Sequence, residues 1–175
     1  MTNEPVSGQL TGVAGVHFVA AYLSFLGFHA VPTTRNVRGP DLLVSSIDGF
    51  RSLTLQVKTT MWASRDRGRG ELKKPHHLEW DVGWSSARLN NPHLWFAFVD
   101  LKAFEELPDT YIIPSKVVFT YFQGGDPRTW IRARYHPLIE EVAPFKNGWD
   151  QLKKALINGH SEIAIAQQGT GADAQ

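Results

Sequence analysis

Hydrophobic positions follow two different periods along the chain. Between residues 11 and 27 they recur at i, i+3 and i+4, which is typical of a helix with one buried stripe, and Gly27 is suited to end it. β-Branched and apolar runs predict strands at 28–33, 41–47, 50–59, 93–101, 110–113 and 129–134. Further helices are predicted at 85–90, 115–122, 138–142 and 149–156. A helix, then consecutive strands, then helices around further strands predict an α/β domain with a central mixed β-sheet.

A β-hairpin is predicted between residues 41 and 59. Its Asp48-Gly49 pair tolerates the positive φ angles of a two-residue hairpin turn. With that pair as the loop, counting outward along both strands places Asp41 opposite Gln56. Lys58 shares their face because it lies two residues beyond Gln56 on the same strand. One carboxylate, one amide and one ammonium are therefore predicted to converge.

Both faces of this hairpin are predicted to be covered. Leu42 and Val44 point to one side, while Leu43 lies on the other side together with Asp41. A charge in a covered sheet is costly unless it is paired or used for chemistry. Three interpretations follow: a functional site, a structural ion pair between Asp41 and Lys58 in an unrelated α/β fold, or an amphipathic hairpin with its polar side in water.

The composition is that of a folded protein of one domain. The chain has 175 residues with six tryptophans and ten phenylalanines, enough for a substantial core. It has no cysteine, which excludes disulfides, thiolate metal sites and a cysteine nucleophile. With no signal-type N-terminus and no apolar run of roughly 20 residues, we expect a cytoplasmic protein with no membrane segment. We expect one domain over residues 1–158 and a disordered polar tail over 159–175.

Basic residues concentrate in one segment, although the net charge is only +1. Between residues 65 and 74, two acidic residues accompany five basic ones, Arg65, Arg67, Arg69, Lys73 and Lys74. Glycines at 68 and 70 favour a flexible loop there. Such a loop either neutralises phosphates or is simply solvated. Arg35 and Arg38, which precede the hairpin, are candidates for nucleic-acid backbone contacts or for a structural role at the strand entry.

Histidine is the remaining residue type that could hold a metal. His76 and His77 are adjacent, and His93 follows them. Adjacent residues on a strand point to opposite faces, and the spacing matches no zinc motif. The sequence therefore predicts no metal site at these histidines.

The order of elements and polar residues resembles the PD-(D/E)XK nuclease superfamily. Pro40-Asp41 stands where that motif has its PD, and Gln56-Val57-Lys58 stands where it has (D/E)XK, with glutamine as the variant of the second acid. The segment from Gly15 to Phe28 resembles the first helix of the family. The likeness covers roughly residues 8–120. It implies a restriction-endonuclease-like core, in which a helix and a three-strand meander are followed by a helix and a further strand.

The resemblance also implies a chemistry, the hydrolysis of DNA phosphodiester bonds with Mg2+ or Mn2+. By carry-over, Asp41 is the carboxylate ligand of the metal, Gln56 an amide oxygen ligand and Val57 a backbone carbonyl ligand. Lys58 activates the water and stabilises the charge that develops on the phosphate. DNA is then the expected partner, and a homodimer is the expected assembly for cutting both strands.

The chain departs from the family pattern on the first helix. Family members commonly carry a glutamate after a glycine there, and in this chain Val16 follows Gly15. Asp41 is then the one carboxylate that the motif retains, so a catalytically inactive nucleic-acid-binding or protein-interaction module is the alternative function. Glu79 and Asp81, or His17 on the helix, are candidates to replace the missing groups.

Overall fold

The computed structural model describes residues 7–33, 39–123 and 132–158. Its helices are α1 (Gly8–Phe25), α2 (Trp84–Ala87), α3 (Ser115–Gln123), α4 (Ile139–Val142) and α5 (Trp149–Asn158). Its strands are β1 (His29–Pro32), β2 (Leu42–Ser45), β3 (Ser52–Thr60), β4 (Ser64–Arg67), β5 (Lys74–Leu78), β6 (Trp80–Asp81), β7 (Leu94–Asp100), β8 (Asp109–Pro114) and β9 (Arg134–Tyr135). Arg35, Arg38 and the predicted tail lie outside the described residues.

A five-stranded mixed sheet forms the centre of the fold, with the strand order β1-β2-β3-β7-β8. The first three strands form an antiparallel meander, β3 runs parallel to β7, and β8 returns antiparallel to β7. The parallel step requires a long connection, which here carries the two-stranded sheet β4-β5 and the strand β6; β6 pairs with β9, which follows α3 in the chain. The predicted α/β fold with a central mixed sheet flanked by helices is confirmed.

Apolar side chains cover both faces of the central sheet. On one face, α1 and α5 contribute Val19, Leu23 and Leu152 to a core that includes Leu55 and Val99. A second core on the other face joins the small sheets and α3, and its buried residues include Trp80, Phe96, Phe98, Ile113, Val118 and Tyr135. Strand β7 is buried along its whole length, as its continuous apolar sequence predicted.

Helix α1 lies unusually close to β3 at one point. A Cβ atom built on Gly15 would lie 1.9 Å from Thr59 Oγ1 and 2.8 Å from Thr59 Cβ. Only glycine permits this approach, because any side chain would push the helix off the sheet. Gly15 therefore fixes the distance between the first helix and the strand that carries Gln56 and Lys58.

The ends of several predicted elements differ from the sequence-based prediction; the strand predicted at 129–134, for example, is Arg134–Tyr135 within the described residues. Two of the differences have a local cause. Helix α1 begins at Gly8 because Ser7 Oγ caps it by accepting a hydrogen bond from Leu10 N at 3.3 Å. The hairpin turn between β2 and β3 is wider than two residues, since Ser46 N donates to Arg51 O at 3.0 Å and encloses four residues. The extra turn residues are added equally on both sides, so the predicted pairing is unchanged.

The basic segment is a β-hairpin and not the flexible loop predicted from its glycines. Strands β4 and β5 pair antiparallel and are joined by a short 3-10 helix over Gly70–Leu72. Gly68 and Gly70 have positive φ values of 110° and 57°, so the glycines serve the tight turn. Within the described residues, no helix is long and apolar enough to cross a membrane.

Candidate active site

The β2-β3 hairpin brings Asp41 and Gln56 together as predicted. Leu42 pairs with Leu55 across the two strands, and Asp41 N donates to Leu55 O at 2.8 Å. Asp41 Oδ2 accepts a hydrogen bond from Val57 N at 2.8 Å and a second one from Gln56 Nε2. The carboxylate is therefore held in a fixed orientation by the strand that carries the other two motif residues.

Gln56 contributes an oriented amide to the site. Its side chain is only 8% exposed, and its NH2 group donates to Asp41. The amide carbonyl oxygen is then the Gln56 atom that could act as a metal ligand. Val57 contacts Asp41 through its backbone N–H. The Val57 carbonyl, which was predicted to be a metal ligand, takes no part in this hydrogen bond.

Lys58 lies on the same face of β3, next to the second core. Its partner in the parallel ladder is Phe98, whose ring packs against Trp80 at 5.2 Å between centroids. Burial lowers the pKa of Lys58, while the negative charges of Asp41 and Asp81 raise it. Asp41 accepts hydrogen bonds from Val57 and Gln56, and among the described residues no direct ion pair joins Asp41 to Lys58.

The face that carries Asp41 is open to solvent at the edge of the sheet. Leu43 is 50% exposed, and its neighbour Val31 on β1 is 57% exposed. The prediction that both faces are covered was wrong, because α1 packs on the side of Leu42 and Val44. A cavity of about 400 Å³ lies elsewhere, lined by Arg51, Asn91, Lys116 and their neighbours. The sheet is thus exposed beside Asp41, whereas Gln56 is buried and Lys58 is partly buried.

Helix α1 adds no acid to this surface. Val16 is half-buried against the first core, and His17 is exposed. Glu79 is held by Arg134 at 3.3 Å and by Arg65 at 3.6 Å. Asp81 is the one candidate replacement that acts on Lys58 electrostatically; its carboxylate also lies 3.6 Å from Arg132 Nη1.

The donor set suits a weakly held divalent cation. Asp41 supplies carboxylate oxygen and Gln56 supplies carbonyl oxygen, which are the ligand types that Mg2+ takes. In the described part of the chain, no group of three or more His, Asp or Glu side chains is placed to hold a metal ion. Because Mg2+ is often bound by one or two carboxylates together with substrate phosphates, the residues fit a cation that arrives with its substrate.

The basic residues predicted to contact nucleic acid differ in whether their side chains already bind other parts of the protein. Arg65 Nη1 donates to Trp62 O at 2.8 Å and Arg65 also pairs with Glu79. Lys73 pairs with Asp66 at 3.6 Å. Arg69 and Lys74 are exposed near the tip of the hairpin. Arg65 therefore has a structural role in the hairpin, while the tip presents cations to solvent.

A histidine cluster beside this hairpin was missed by sequence reasoning. Arg65 pairs with His77, but Asp66 pairs with Pro75, so His76 is the extra residue of a β-bulge. The bulge brings the His76 and His77 Nδ1 atoms within 3.3 Å of each other. The prediction that adjacent histidines point to opposite faces was therefore wrong. His93 lies immediately before β7 and is not part of the cluster.

Comparison with known proteins supports the fold. No protein-family model matches the chain, and no curated protein sequence matches it. Among solved structures, it is similar to the bacterial homing endonuclease I-Ssp6803I, with a TM-score of 0.56 and 13% sequence identity. The match covers 87% of this chain and 96% of that enzyme. At this identity the likeness shows a shared α/β fold, one that a nuclease also uses.

Proposed function

We propose that the protein is a metal-dependent endonuclease that hydrolyses phosphodiester bonds of DNA. One observation carries the proposal: Asp41 and Gln56 are hydrogen-bonded to each other, and Lys58 lies two residues beyond Gln56 on the same face of β3. The fold shared with a homing endonuclease and the resemblance to the PD-(D/E)XK motif support the same function. The restriction-endonuclease-like core belongs to this proposal.

Asp41 and Gln56 would hold Mg2+ or Mn2+ through carboxylate and carbonyl oxygen, with the Val57 carbonyl as a further ligand. When bound, such a cation lowers the pKa of a water ligand and stabilises charge on the phosphate. The hydrogen bond from Val57 N keeps Asp41 from rotating away. With one motif carboxylate, cation affinity depends on the DNA phosphate that completes the shell.

Lys58 would act on the scissile phosphate. Its compact ammonium donates hydrogen bonds in several directions and suits a developing negative charge. Burial lowers its pKa and opposes the charged form, while Asp41 and Asp81 favour that form. A DNA phosphate would add a further negative charge on the same side. Asp41, Asp81 and the phosphate would thus together favour the charged ammonium at the position where it stabilises the transition state.

The cations of the β4-β5 hairpin would hold the DNA backbone. The proposed contacts are Arg67, Arg69, Lys73 and Lys74, with Arg35, Arg38 and the structurally engaged Arg65 as the remaining candidates. Each phosphate neutralised makes affinity fall more steeply with salt. A homodimer, which would supply one site for each strand, is also proposed and is checked by sedimentation.

The test is cleavage of supercoiled plasmid and of a labelled duplex, each with Mg2+ and with Mn2+. We expect cutting by the wild type and loss of cutting by Lys58→Ala and Asp41→Asn. Lys116→Ala is the matched control, because it removes an exposed lysine of α3. Cutting that survives Lys58→Ala would refute this site.

The second candidate function is a catalytically inactive module that binds nucleic acid or a protein. It is favoured by one observation, that Val16 of α1 packs into the core where the family has a glutamate. Binding of DNA without cleavage under any metal condition would establish the nucleic-acid form of this function. A protein that neither binds nor cuts DNA would leave the protein-interaction form.

A further inference from the structure

A groove of about 310 Å³ lies between the basic hairpin and the chain that follows β9. We call it the histidine groove. It is lined by Asp66, Arg67, His76, His77, His136 and Leu138. The His77 and His136 rings meet at 6.1 Å between centroids. Three histidines therefore share one small surface beside a guanidinium group.

The hydrogen bonds determine where the proton of each ring sits on the hairpin side. Arg67 Nη1 lies 3.3 Å from His76 Nε2, and a guanidinium can only donate. His76 therefore accepts at Nε2 and carries its own proton on Nδ1. That N–H donates to His77 Nδ1 at 3.3 Å. In the neutral state the remaining proton of His77 is consequently on Nε2.

His136 is held on the other side of the groove by Tyr121. Its backbone N–H donates to Tyr121 Oη at 3.4 Å, while Tyr121 Oη lies 3.0 Å from His136 Nδ1. A hydroxyl has one proton and two lone pairs, so Tyr121 either donates to Nδ1 or accepts from an Nδ1–H. The contact orients the ring, and His136 presents an Nε2–H when Tyr121 is the donor.

This pattern of donors suits an anion and not a metal cation. Arg67 occupies the His76 nitrogen that would otherwise ligate, and its positive charge opposes a cation. Asp66, the acid of the groove, is paired with Lys73 at 3.6 Å. Burial lowers the pKa of His77, and the neighbouring His76 and His136 lower it further. A bound anion would favour the charged form of His77. The added proton would enter at Nδ1, so the hydrogen bond from His76 Nδ1 would open as the anion binds.

The groove is also close to the proposed active site. Strand β5 continues into β6, and Asp81, which acts on Lys58, is four residues beyond His77. Their Cα atoms are therefore at most about 13 Å apart at 3.3 Å per residue. That distance equals the axial rise of about four base pairs of a DNA duplex, at 3.4 Å per step. A duplex lying over Lys58 and Asp81 would therefore also pass the groove.

We propose that the histidine groove binds a phosphate group of a nucleic-acid backbone, through Arg67, His77 and His136. The proposal rests on the DNA binding that is part of the proposed function. Because His77 takes up a proton with the phosphate, DNA affinity should rise as pH falls. For one proton the increase is at most about tenfold per pH unit. The other charged and titratable groups that bear on the cluster are Arg65, Asp66, Lys73, Glu79, Tyr121 and Glu141.

The direct test is a long-range 1H–15N correlation spectrum of the histidine rings in the 15N-labelled wild type. Spectra are recorded from pH 5.5 to 8.5 with EDTA, alone, with a short mixed-sequence duplex, and with inorganic phosphate at the same ionic strength. We expect Nε2–H tautomers at His77 and His136 and a raised His77 pKa with the duplex. His17, exposed on α1, is the internal control.

Binding of a labelled duplex by fluorescence anisotropy is the second measurement. His77→Gln with His136→Gln should weaken binding about threefold to tenfold at pH 6, flatten its pH dependence and reduce the salt slope by about one. His17→Gln should bind like the wild type. Equal binding by the double variant, or ring signals that move no more than those of His17, would overturn the inference. Signals that respond to inorganic phosphate but not to the duplex would exclude the nucleic-acid source.

Cleavage of the duplex and the response of the groove histidines are two separate measurements. A duplex that shifts the groove signals but is never cut supports this inference and removes the nuclease proposal. A duplex that is cut while the groove signals stay unchanged removes this inference alone.

Discussion

Gly15→Ala should destabilise the protein although alanine favours helices. The new Cβ would lie 1.9, 2.7 and 2.8 Å from the Oγ1, Cγ2 and Cβ atoms of Thr59. Ordinary carbon contacts are about 3.5–4.0 Å. Rotating Thr59 can move the first two atoms, but its Cβ is fixed by the backbone of β3. The helix and the strand must therefore separate.

The size of the effect follows from two opposing terms. Overpacking costs about 1–3 kcal/mol, and the upper end applies because a backbone shift is needed. Replacing glycine in a helix interior returns about 1 kcal/mol. The net loss is then about 2 kcal/mol, or roughly 4–8 °C in Tm for a chain of this size.

Thermal unfolding followed by circular dichroism, with urea titrations at 25 °C, measures this loss. Thr59→Ala alone should be nearly neutral, because Thr59 Oγ1 is buried without a hydrogen-bond partner. The double variant should recover about 1 kcal/mol, since two of the three clashing atoms are gone. Gly8→Ala is the control, with nothing within 4 Å of the added Cβ. A Gly15→Ala protein as stable as the wild type would refute the close approach.

Three further predictions concern charge and hydrogen bonding. Lys58→Met should stabilise the protein at pH 7 in urea titrations while abolishing cleavage. The pKa of Lys58 lies below 10.5 in the folded state, so burying the charged ammonium destabilises the wild type. This destabilisation is fully present below the folded-state pKa and should vanish as pH rises to 10.5. Asp41→Ala should lower the free energy of unfolding by about 2 kcal/mol, because it leaves Val57 N–H without its acceptor. Asp41→Asn should lower it less, and chemical denaturation of both variants measures the difference. Burial raises the pKa of Asp100 above 3.8 in the folded state. The folded protein therefore holds the Asp100 proton more tightly than the unfolded chain, and its stability falls as pH rises from 3.8 through the folded-state pKa. Asp100→Asn keeps an acceptor for two backbone amides and should flatten this fall when the free energy of unfolding is measured from pH 3 to 7.

The hairpin register was predictable because alternation and turn position act over a short stretch. Leu42 and Val44 select the buried face, and the turn enlarged symmetrically without moving Asp41 relative to Gln56. Local rules also placed the central strand β7, whose apolar sequence leaves little alternative.

The surroundings of the site could not be predicted because they depend on distant parts of the chain. Whether Leu43 is covered depends on which face α1 selects. The approach of Asp81 to Lys58 depends on β6 packing over the sheet beside Trp80. The bulge at His76 is a one-residue irregularity of pairing, and alternation alone gives no signal for it.

The parallel pairing of β3 with β7 has a consequence for how the protein folds. The meander of β1, β2 and β3 joins neighbouring segments, so the contact between Asp41 and Gln56 closes only a short loop. Pairing β3 with β7 instead closes the loop of residues 61–93, which contains the whole basic hairpin. Since such non-local pairing is slow, we expect Asp41 and Gln56 to meet early, and Lys58 to acquire its buried environment only when β7 docks.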